Sequence, residues 1–142
     1  MIETARGSVH EWQRDHMGHI NVRAYMDKFE EACWQLYAAI GMTPSRMRDG
    51  DARMAAVQQN IGYQRELMPG DIVVVRSGVL ELREKVLRFR HEMLNAETGE
   101  ISATCEFTVV CLDPLTRKSR PFPADVAERV RALLIDAEAA RG

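Results

Sequence analysis

The spacing of apolar residues changes once along the chain, and this change separates a helical part from a strand-forming part. Between residues 22 and 40 the apolar positions recur every three or four residues, the period of one helix face. Asn21 before this stretch, and Gly41 and Pro44 after it, are residue types typical of a helix start and a helix end. We therefore predict a long amphipathic helix over residues 22–40, with a buried stripe of Val22, Tyr25, Met26, Phe29, Cys33, Leu36, Tyr37 and Ile40.

From residue 54 onward the hydrophobic pattern alternates with a period of two, which is typical of strands with one buried face. Turn residues at 68–71, 84–85 and 97–99 divide this region into consecutive segments. We predict strands over residues 4–13, 57–63, 71–83, 86–96 and 101–112. Pro121 and Pro123 precede a last predicted helix over residues 124–139, with Val126, Val130, Leu133 and Leu134 facing inward.

The predicted order of elements indicates an α+β fold in which a curved antiparallel sheet wraps around one central helix. Strands linked by short turns pair with their neighbours, so three or four of the strands after the helix are expected to form a meander. The helix of residues 22–40 is the element long enough to cover one face of that sheet. The sheet edges and its other face are left for a second subunit, so we expect a homodimer or a homotetramer.

Composition fits one domain over residues 1–142, because this length supports a single core. The net charge of −2 gives no general attraction to nucleic acid or to a membrane surface. The three cysteines, Cys33, Cys105 and Cys111, have no metal-like spacing and are expected to be buried thiols. No signal peptide or membrane-length apolar run occurs in the sequence, so we expect a cytoplasmic location.

The residues around the start of the long helix are candidates for acyl-transfer chemistry. Asn21 is placed to cap the helix, which would direct the amides of Val22, Arg23 and Ala24 outward without an intrahelical partner. Such donors favour an anion or a carbonyl oxygen that develops charge. Asp15 lies a few residues earlier, although an aspartate in a polar turn is more often only a turn former.

The run D-H-M-G-H-I-N-V-R-A-Y at residues 15–25 resembles the D-x-x-G-H-x-N-x-x-x-Y signature of hotdog-fold acyl-CoA thioesterases, nearest to the 4-hydroxybenzoyl-CoA thioesterase group. The Y-x-R-E-L-x-P-G-D segment at residues 63–71, the helix length and the strand order agree with this resemblance. The resemblance implies hydrolysis of an acyl-CoA without a cofactor, at a site formed between subunits.

The resemblance also carries residue roles onto this chain. Asp15 matches the catalytic carboxylate, acting as a nucleophile or a general base, and Val22 matches the position whose backbone N–H polarises the thioester carbonyl. Arg83 and Lys85 match an exposed turn that contacts the CoA phosphates. Many relatives have a second aspartate where this chain has Gln13.

Further candidates lie near these positions. His19 and Asn21 are assigned to the catalytic group, with the alternatives that His19 is a packed residue and Asn21 only a cap. The substrate-binding candidates are Gly18, Tyr25, Gln58, Gln59 and Asn60, the last three because they are polar within a strand. A second branch of the family places its acid on the helix, where this chain offers Glu30 or Glu31.

Two other classes of function stay open at this point. His10, Asp15, His16 and His19 lie within ten residues and could bind a metal, but their spacing matches no closed zinc motif. A non-catalytic acyl-CoA-binding module is the other alternative. An acyl-CoA hydratase or dehydratase is disfavoured because such relatives use a different motif, and the acyl group itself is not determined by the sequence.

Overall fold

A computed structural model describes residues 1–18 and 20–135 of the chain. It contains five strands, one long helix and two short helices. The strands are β1 (Ile2–Ser8), β2 (Arg53–Tyr63), β3 (Ile72–Leu82), β4 (Val86–Asn95) and β5 (Ile101–Leu112). The helices are α1 (Val22–Ala39), α2 (Pro44–Asp49) and α3 (Ala124–Arg131), and a single 3-10 turn covers Glu11–Gln13.

The five strands form one antiparallel sheet in the order β1-β3-β4-β5-β2. Strands β3, β4 and β5 are the predicted meander. The sequence left open whether the strand of residues 57–63 is a fourth member of this meander. It is not, because β2 crosses to the far edge and pairs with β5. The turn at residues 68–71 therefore joins the edge strand β2 to β3, an interior strand on the other side of β4 and β5, rather than two neighbours.

Helix α1 packs against one face of the sheet and supplies the centre of the core. Its start and end agree with the prediction, since Asn21 caps it and Gly41 adopts a φ of 89° just beyond it. The buried side chains are Ala24, Tyr25, Phe29, Ala32, Cys33 and Leu36. Val22 is 61% exposed, so its predicted place in the buried stripe was wrong. Val22 is in line with Phe29 and Cys33 on the helical period, so its exposure follows from its place as the first residue of α1 and not from a different helix face.

The sheet contributes the other half of the core through alternate residues of its three central strands. Leu87, Phe89, His91 and Met93 of β4 are all fully buried, as their period of two predicts. The corresponding residues of β5 are Ala103, Cys105, Phe107 and Val109. All three cysteines are buried thiols without a disulfide, as predicted.

A series of hydrogen-bonded polar side chains crosses this apolar core. His91 contacts the thiol of Cys33 through Nε2, at 3.3 Å, and the hydroxyl of Ser77 through Nδ1. Ser77 in turn hydrogen-bonds Thr4 at 2.7 Å, and Thr4 donates to the carbonyl of Val75. Because burial lowers the pKa of His91 to about 3, the ring is neutral and can donate through one nitrogen and accept through the other. This series thus connects α1 with three strands and satisfies each of these buried groups.

Both ends of the chain differ from the predicted elements. The first strand ends at Ser8, where residues 4–13 were predicted, and the 3-10 turn follows it. Helix α2 was not predicted. The last helix ends at Arg131, because Leu133 and Ile135 hydrogen-bond the backbone of Val79. Val79 is available for these bonds since the pairing of β3 with β1 ends at Ser77. Leu134 is 46% exposed rather than inward-facing. The remainder of the predicted helix, residues 136–139, lies outside the described residues.

Strand β2 is an edge of the sheet, and most of it is exposed. A bulge between Ala56 and Gln58 interrupts its alternation, so Val57 is 60% exposed instead of sharing a face with Gln59. Within the described residues no other strand pairs with its outer side. Among those residues, no helix is long and apolar enough to cross a bilayer.

Candidate active site

The loop between the 3-10 turn and α1 is fixed to the rest of the chain by backbone hydrogen bonds. Arg14 and Ile20 form an isolated antiparallel bridge that closes the loop at its base. The N–H of Asn21 donates to the carbonyl of Gln13 at 2.8 Å, and the N–H of Ile20 donates to that of Leu67 at 3.0 Å. These bonds set the position of the segment that carries the candidate acid relative to the helix start.

Asp15 lies at the beginning of this closed loop. One of its carboxylate oxygens accepts the backbone N–H of Met17 at 2.8 Å, and its carbonyl accepts the N–H of Gly18 at 3.1 Å. Gly18 has a φ of 83°, a conformation that favours glycine. Asp15 therefore does form the turn, as one of the two interpretations predicted. The bond to Met17 orients its carboxylate, and the residue also lines a cavity.

Asn21 caps the start of α1 as predicted, but one fewer backbone amide is left without a partner than was expected. The side-chain oxygen of Asn21 accepts the N–H of Ala24 at 2.9 Å. The amide of Ala24 donates to the cap. The expectation that the amides of Val22, Arg23 and Ala24 all lack a partner was therefore wrong for Ala24. The amides of Val22 and Arg23 belong to the first turn, where no intrahelical acceptor exists.

Asp15 and Val22 line one cavity of about 270 Å³. Tyr25 also lines this cavity, so three of the candidate site residues are brought together there. The segment after β2 also lines the cavity. The sequence had assigned it no site role, although the quoted Y-x-R-E-L motif overlaps it. The complete lining is Asp15, Ile20, Val22, Tyr25, Tyr63, Gln64, Arg65 and Glu66.

Two tyrosines that line this cavity contact each other. The ring of Tyr25 meets that of Tyr63 edge to face, with 5.1 Å between the centroids. Burial, and to a smaller extent the neighbouring charges, raise the pKa of Tyr25 to about 12. Its hydroxyl is therefore protonated near neutral pH, and the cavity contains a neutral phenol beside the carboxylate of Asp15.

Gln13, which stands where many relatives have an aspartate, is a structural residue in this chain. Its side chain is buried, and its amide oxygen accepts the backbone N–H of His10 at 2.8 Å. Because this bond spans the 3-10 turn, Gln13 stabilises the turn that leads into the Asp15 loop.

The histidines of this region do not form a metal centre among the residues the structure describes. His19 lies outside the described residues. The ring of His10 stacks on Trp12 with 5.5 Å between the centroids, and His16 is exposed. No group of three or more metal-ligating side chains occurs in residues 1–18 and 20–135.

The polar residues of β2 lie on different faces of the sheet. Gln58 and Asn60 pair with Thr108 and Glu106, which places them on the face away from α1. Gln59 faces the helix and donates from its amide nitrogen to the sulfur of Met26, at 3.0 Å. None of the three lines the cavity of Asp15.

Arg83 and Lys85 belong to the turn between β3 and β4, at the far end of the sheet from Asp15. The Arg83 guanidinium donates to the carboxylate of Glu81 at 2.7 Å. Ten residues of β3 separate this turn from Ile72, which corresponds to about 30 Å along the strand. Within one subunit the turn therefore does not reach the cavity.

The two glutamates considered as alternative acids also differ in their surroundings. Glu31 pairs with Lys28 at 3.7 Å on the exposed side of α1. Glu30 lines a groove between α1 and β2, separate from the cavity of Asp15.

Solved structures with the same fold include enzymes that act on CoA thioesters. A 1,4-dihydroxy-2-naphthoyl-CoA thioesterase from Synechocystis superposes with a TM-score of 0.79 at 18% identity, over 91% of this chain and 95% of the other. A DHNA-CoA thioesterase from Staphylococcus aureus superposes with a TM-score of 0.78 at 22% identity, over 94% and 93%. At these identities the similarity establishes the fold, and the predicted hotdog architecture is confirmed.

A curated relative and a family model connect the sequence with the same class of enzyme. The chain is 24% identical over 119 residues to an L-carnitine dehydrogenase/betainyl-CoA thioesterase from Rhizobium meliloti. This match covers 84% of the chain but only about a quarter (24%) of that relative's length. The model of the Thioesterase-like superfamily matches residues 9–130. The class of enzyme predicted from the sequence, a thioester hydrolase, is the class that this family describes, and the chain belongs to the Thioesterase-like superfamily.

Proposed function

We propose that this domain hydrolyses acyl-CoA thioesters, with Asp15 as the reacting carboxylate and the start of α1 as the site that polarises the carbonyl. The observation that carries this proposal is the common cavity of Asp15 and Val22. A carboxylate and a helix N-terminus on one wall supply the two requirements of acyl transfer, a nucleophile or base and a stabiliser of the oxyanion.

The proposed reaction begins with the thioester carbonyl oxygen at the backbone N–H of Val22. In one route the Asp15 carboxylate attacks the carbonyl carbon, CoA leaves as the thiolate, and water hydrolyses the resulting mixed anhydride. In the other route Asp15 takes a proton from a water that attacks the same carbon. Both routes consume one water and release a carboxylic acid and the free thiol of CoA, with no cofactor.

The helix start is expected to contribute as much as the carboxylate does. Loss of one oxyanion donor in comparable sites costs about 3–4 kcal/mol of transition-state stabilisation. The cap of Asn21 fixes the first turn of α1, and we assign it a positioning role for the Val22 amide. Tyr25 and Gly18 are assigned to the substrate cavity, the first as a lining residue and the second through the shape of the loop.

We propose further that the working form is a homodimer joined through β2. An 11-residue edge strand with unpaired backbone groups is a template for pairing with a second copy around a twofold axis. The convex face of the sheet instead carries paired charges such as Arg90 with Glu106, which makes it a poorer surface for burial in a tetramer. Molar mass from light scattering, compared between the wild type and a Gln58→Pro variant, tests this assembly.

The CoA phosphates are assigned to Arg83 and Lys85. Because this turn lies about 30 Å along β3 from the Asp15 end, it would serve either the active site of the partner subunit or a substrate extended across the sheet.

The test of the proposed function is release of free thiol from a panel of acyl-CoAs with acetyl, hexanoyl, palmitoyl, benzoyl and cationic acyl groups. The cationic member is included because the Rhizobium relative is named for betainyl-CoA. Turnover by the wild type that falls at least about 100-fold in Asp15→Asn supports the proposal. Asp27→Asn, an exposed aspartate on α1, is the matched control and should retain activity.

The other outcomes of this assay contradict the proposal. Tight binding of acyl-CoA without turnover would identify a non-catalytic binding module. Turnover that survives Asp15→Asn would move the reacting acid to another residue, with Glu30 the first to replace.

A further inference from the structure

A second cavity of about 320 Å³ lies between α1 and β2, and the proposed reaction does not use it. We call it the α1–β2 groove. It shares no lining residue with the cavity of Asp15, although Met26 follows Tyr25 on α1 and Gln59 lies on the same strand as Tyr63. Its lining is Met26, Glu30, Cys33, Trp34, Tyr37, Ala56, Gln59 and Phe107.

Aromatic rings make up much of the groove wall. The rings of Trp34 and Tyr37 meet at 71° with 6.4 Å between their centroids, so they form two adjoining walls. Phe107, stacked on Phe89 in the core, adds a third ring. Aromatic faces carry partial negative charge and attract cations, most strongly where water is partly excluded.

A carboxylate adds a full negative charge to these walls. Glu30 lies among the lining residues, which include no lysine or arginine. Across the part of the chain that the structure describes, Glu30 makes no ion pair. The thiol of Cys33 on the same wall is held neutral, because burial raises its pKa to about 12. Aromatic rings attract a quaternary ammonium group through their faces, and the carboxylate of Glu30 adds a charge of the complementary sign.

The neighbouring cavity of about 520 Å³ has the opposite charge. It shares Trp34 and Tyr37 with the groove, but Arg48 and Arg53 line its far side. These guanidinium groups disfavour a cation in that cavity.

We propose that the α1–β2 groove binds the acyl group of the substrate and selects one that ends in a quaternary ammonium. This proposal rests on the proposed thioesterase function. Val22 and Glu30 are eight residues apart on α1, which corresponds to about 12 Å along the helix axis. The preferred acyl group therefore carries its cation several bonds away from the thioester carbonyl.

The experiment compares two esters that differ only in charge. One is trimethylammonio-hexanoyl-CoA, and the other is its neutral isostere, in which a tert-butyl group replaces the trimethylammonium. The wild type is expected to show a kcat/KM about tenfold higher for the cationic ester. Glu30→Gln should remove this preference by lowering kcat/KM for the cationic ester alone, and Trp34→Leu should lower it by about fivefold. Asp27→Asn, the exposed control on the same helix, should leave the ratio unchanged.

The other outcomes distinguish the cation selectivity, the role of Glu30 and the thioesterase function. Equal hydrolysis of both esters by the wild type would overturn the cation selectivity and leave the thioesterase function intact. Loss of both activities in Glu30→Gln would make Glu30 a catalytic acid and not a selector. Failure to hydrolyse any acyl-CoA would overturn the proposed function, and the selectivity with it.

Discussion

The side-chain oxygen of Asn21 accepts the backbone N–H of Ala24 at 2.9 Å, one turn inside α1, and Val22 between these two residues lines the cavity of Asp15. The same residue donates its own N–H to the carbonyl of Gln13. Asn21 therefore connects the loop of Asp15 to the start of α1, and the geometry of the proposed site depends on it.

Replacing Asn21 by alanine is expected to affect both stability and turnover. Loss of the cap should lower the free energy of unfolding by about 1 kcal/mol, measured by urea denaturation. Because the first turn would no longer be held in place, kcat/KM for an acyl-CoA should fall about tenfold or more. Asn21→Asp keeps the acceptor oxygen and should recover most of the stability. Full activity in Asn21→Ala would remove the assigned positioning role.

Gln13→Asp, which restores the residue of many relatives, is expected to destabilise this chain. Aspartate is one methylene shorter and would leave the N–H of His10 without its partner, while burying a carboxylate. The expected loss is about 1–3 kcal/mol in the free energy of unfolding. Gln13→Glu keeps the reach of the side chain and should cost less. Equal stability of Gln13→Asp and the wild type would show that the bond to His10 contributes little.

The buried ring of His91 makes stability depend on pH. Burial lowers its pKa from 6.5 to about 3, so between these values the unfolded chain binds a proton that the folded chain does not. Above pH 6.5 the ring is neutral in both states and does not reduce the free energy of unfolding. As the pH falls from 6.5 toward 3, protonation of the unfolded chain progressively lowers that free energy. At pH 5 the loss relative to pH 7 should be about 2 kcal/mol.

Denaturation at pH 7 and at pH 5 measures this dependence. His91→Gln should be less stable than the wild type at pH 7 but should show a smaller change between the two pH values. His16→Gln, at an exposed position, is the control and should retain the wild-type slope. An unchanged slope in His91→Gln would assign the acid sensitivity to other groups.

The double substitution Arg83→Ala/Lys85→Ala tests the assignment of the CoA phosphates. KM for an acyl-CoA should rise about tenfold because charged hydrogen bonds to phosphate are lost. KM for the corresponding acyl-pantetheine ester, which lacks the nucleotide, should not change. Arg117→Ala/Lys118→Ala, on the loop after β5, removes the same charge elsewhere and serves as the comparison. Equal effects on both esters would place the phosphates away from the β3–β4 turn.

The sequence by itself determined the local elements of this protein. The helical period and the residues Asn21 and Gly41 predicted the start of α1 correctly and its end to within one residue, because capping depends on contacts within a few positions. The period of two in β4 predicted the buried face of Leu87, Phe89, His91 and Met93 for the same reason. The motif at residues 15–25 predicted the family and proposed Asp15 and Val22 as a pair.

Only the tertiary structure decided which elements are neighbours and what each cavity contains. Pairing of β2 with β5, instead of β3, depends on a crossover that no local pattern encodes. The last helix ends at Arg131 because residues 133–135 satisfy the open backbone of Val79, a contact over more than fifty positions. The cavity of Asp15 gains its second wall from the segment after Tyr63, and Glu30 joins Trp34 and Tyr37 in a groove closed by β2. Such contacts arise from packing between segments distant in sequence, and they decide which residues a substrate can reach.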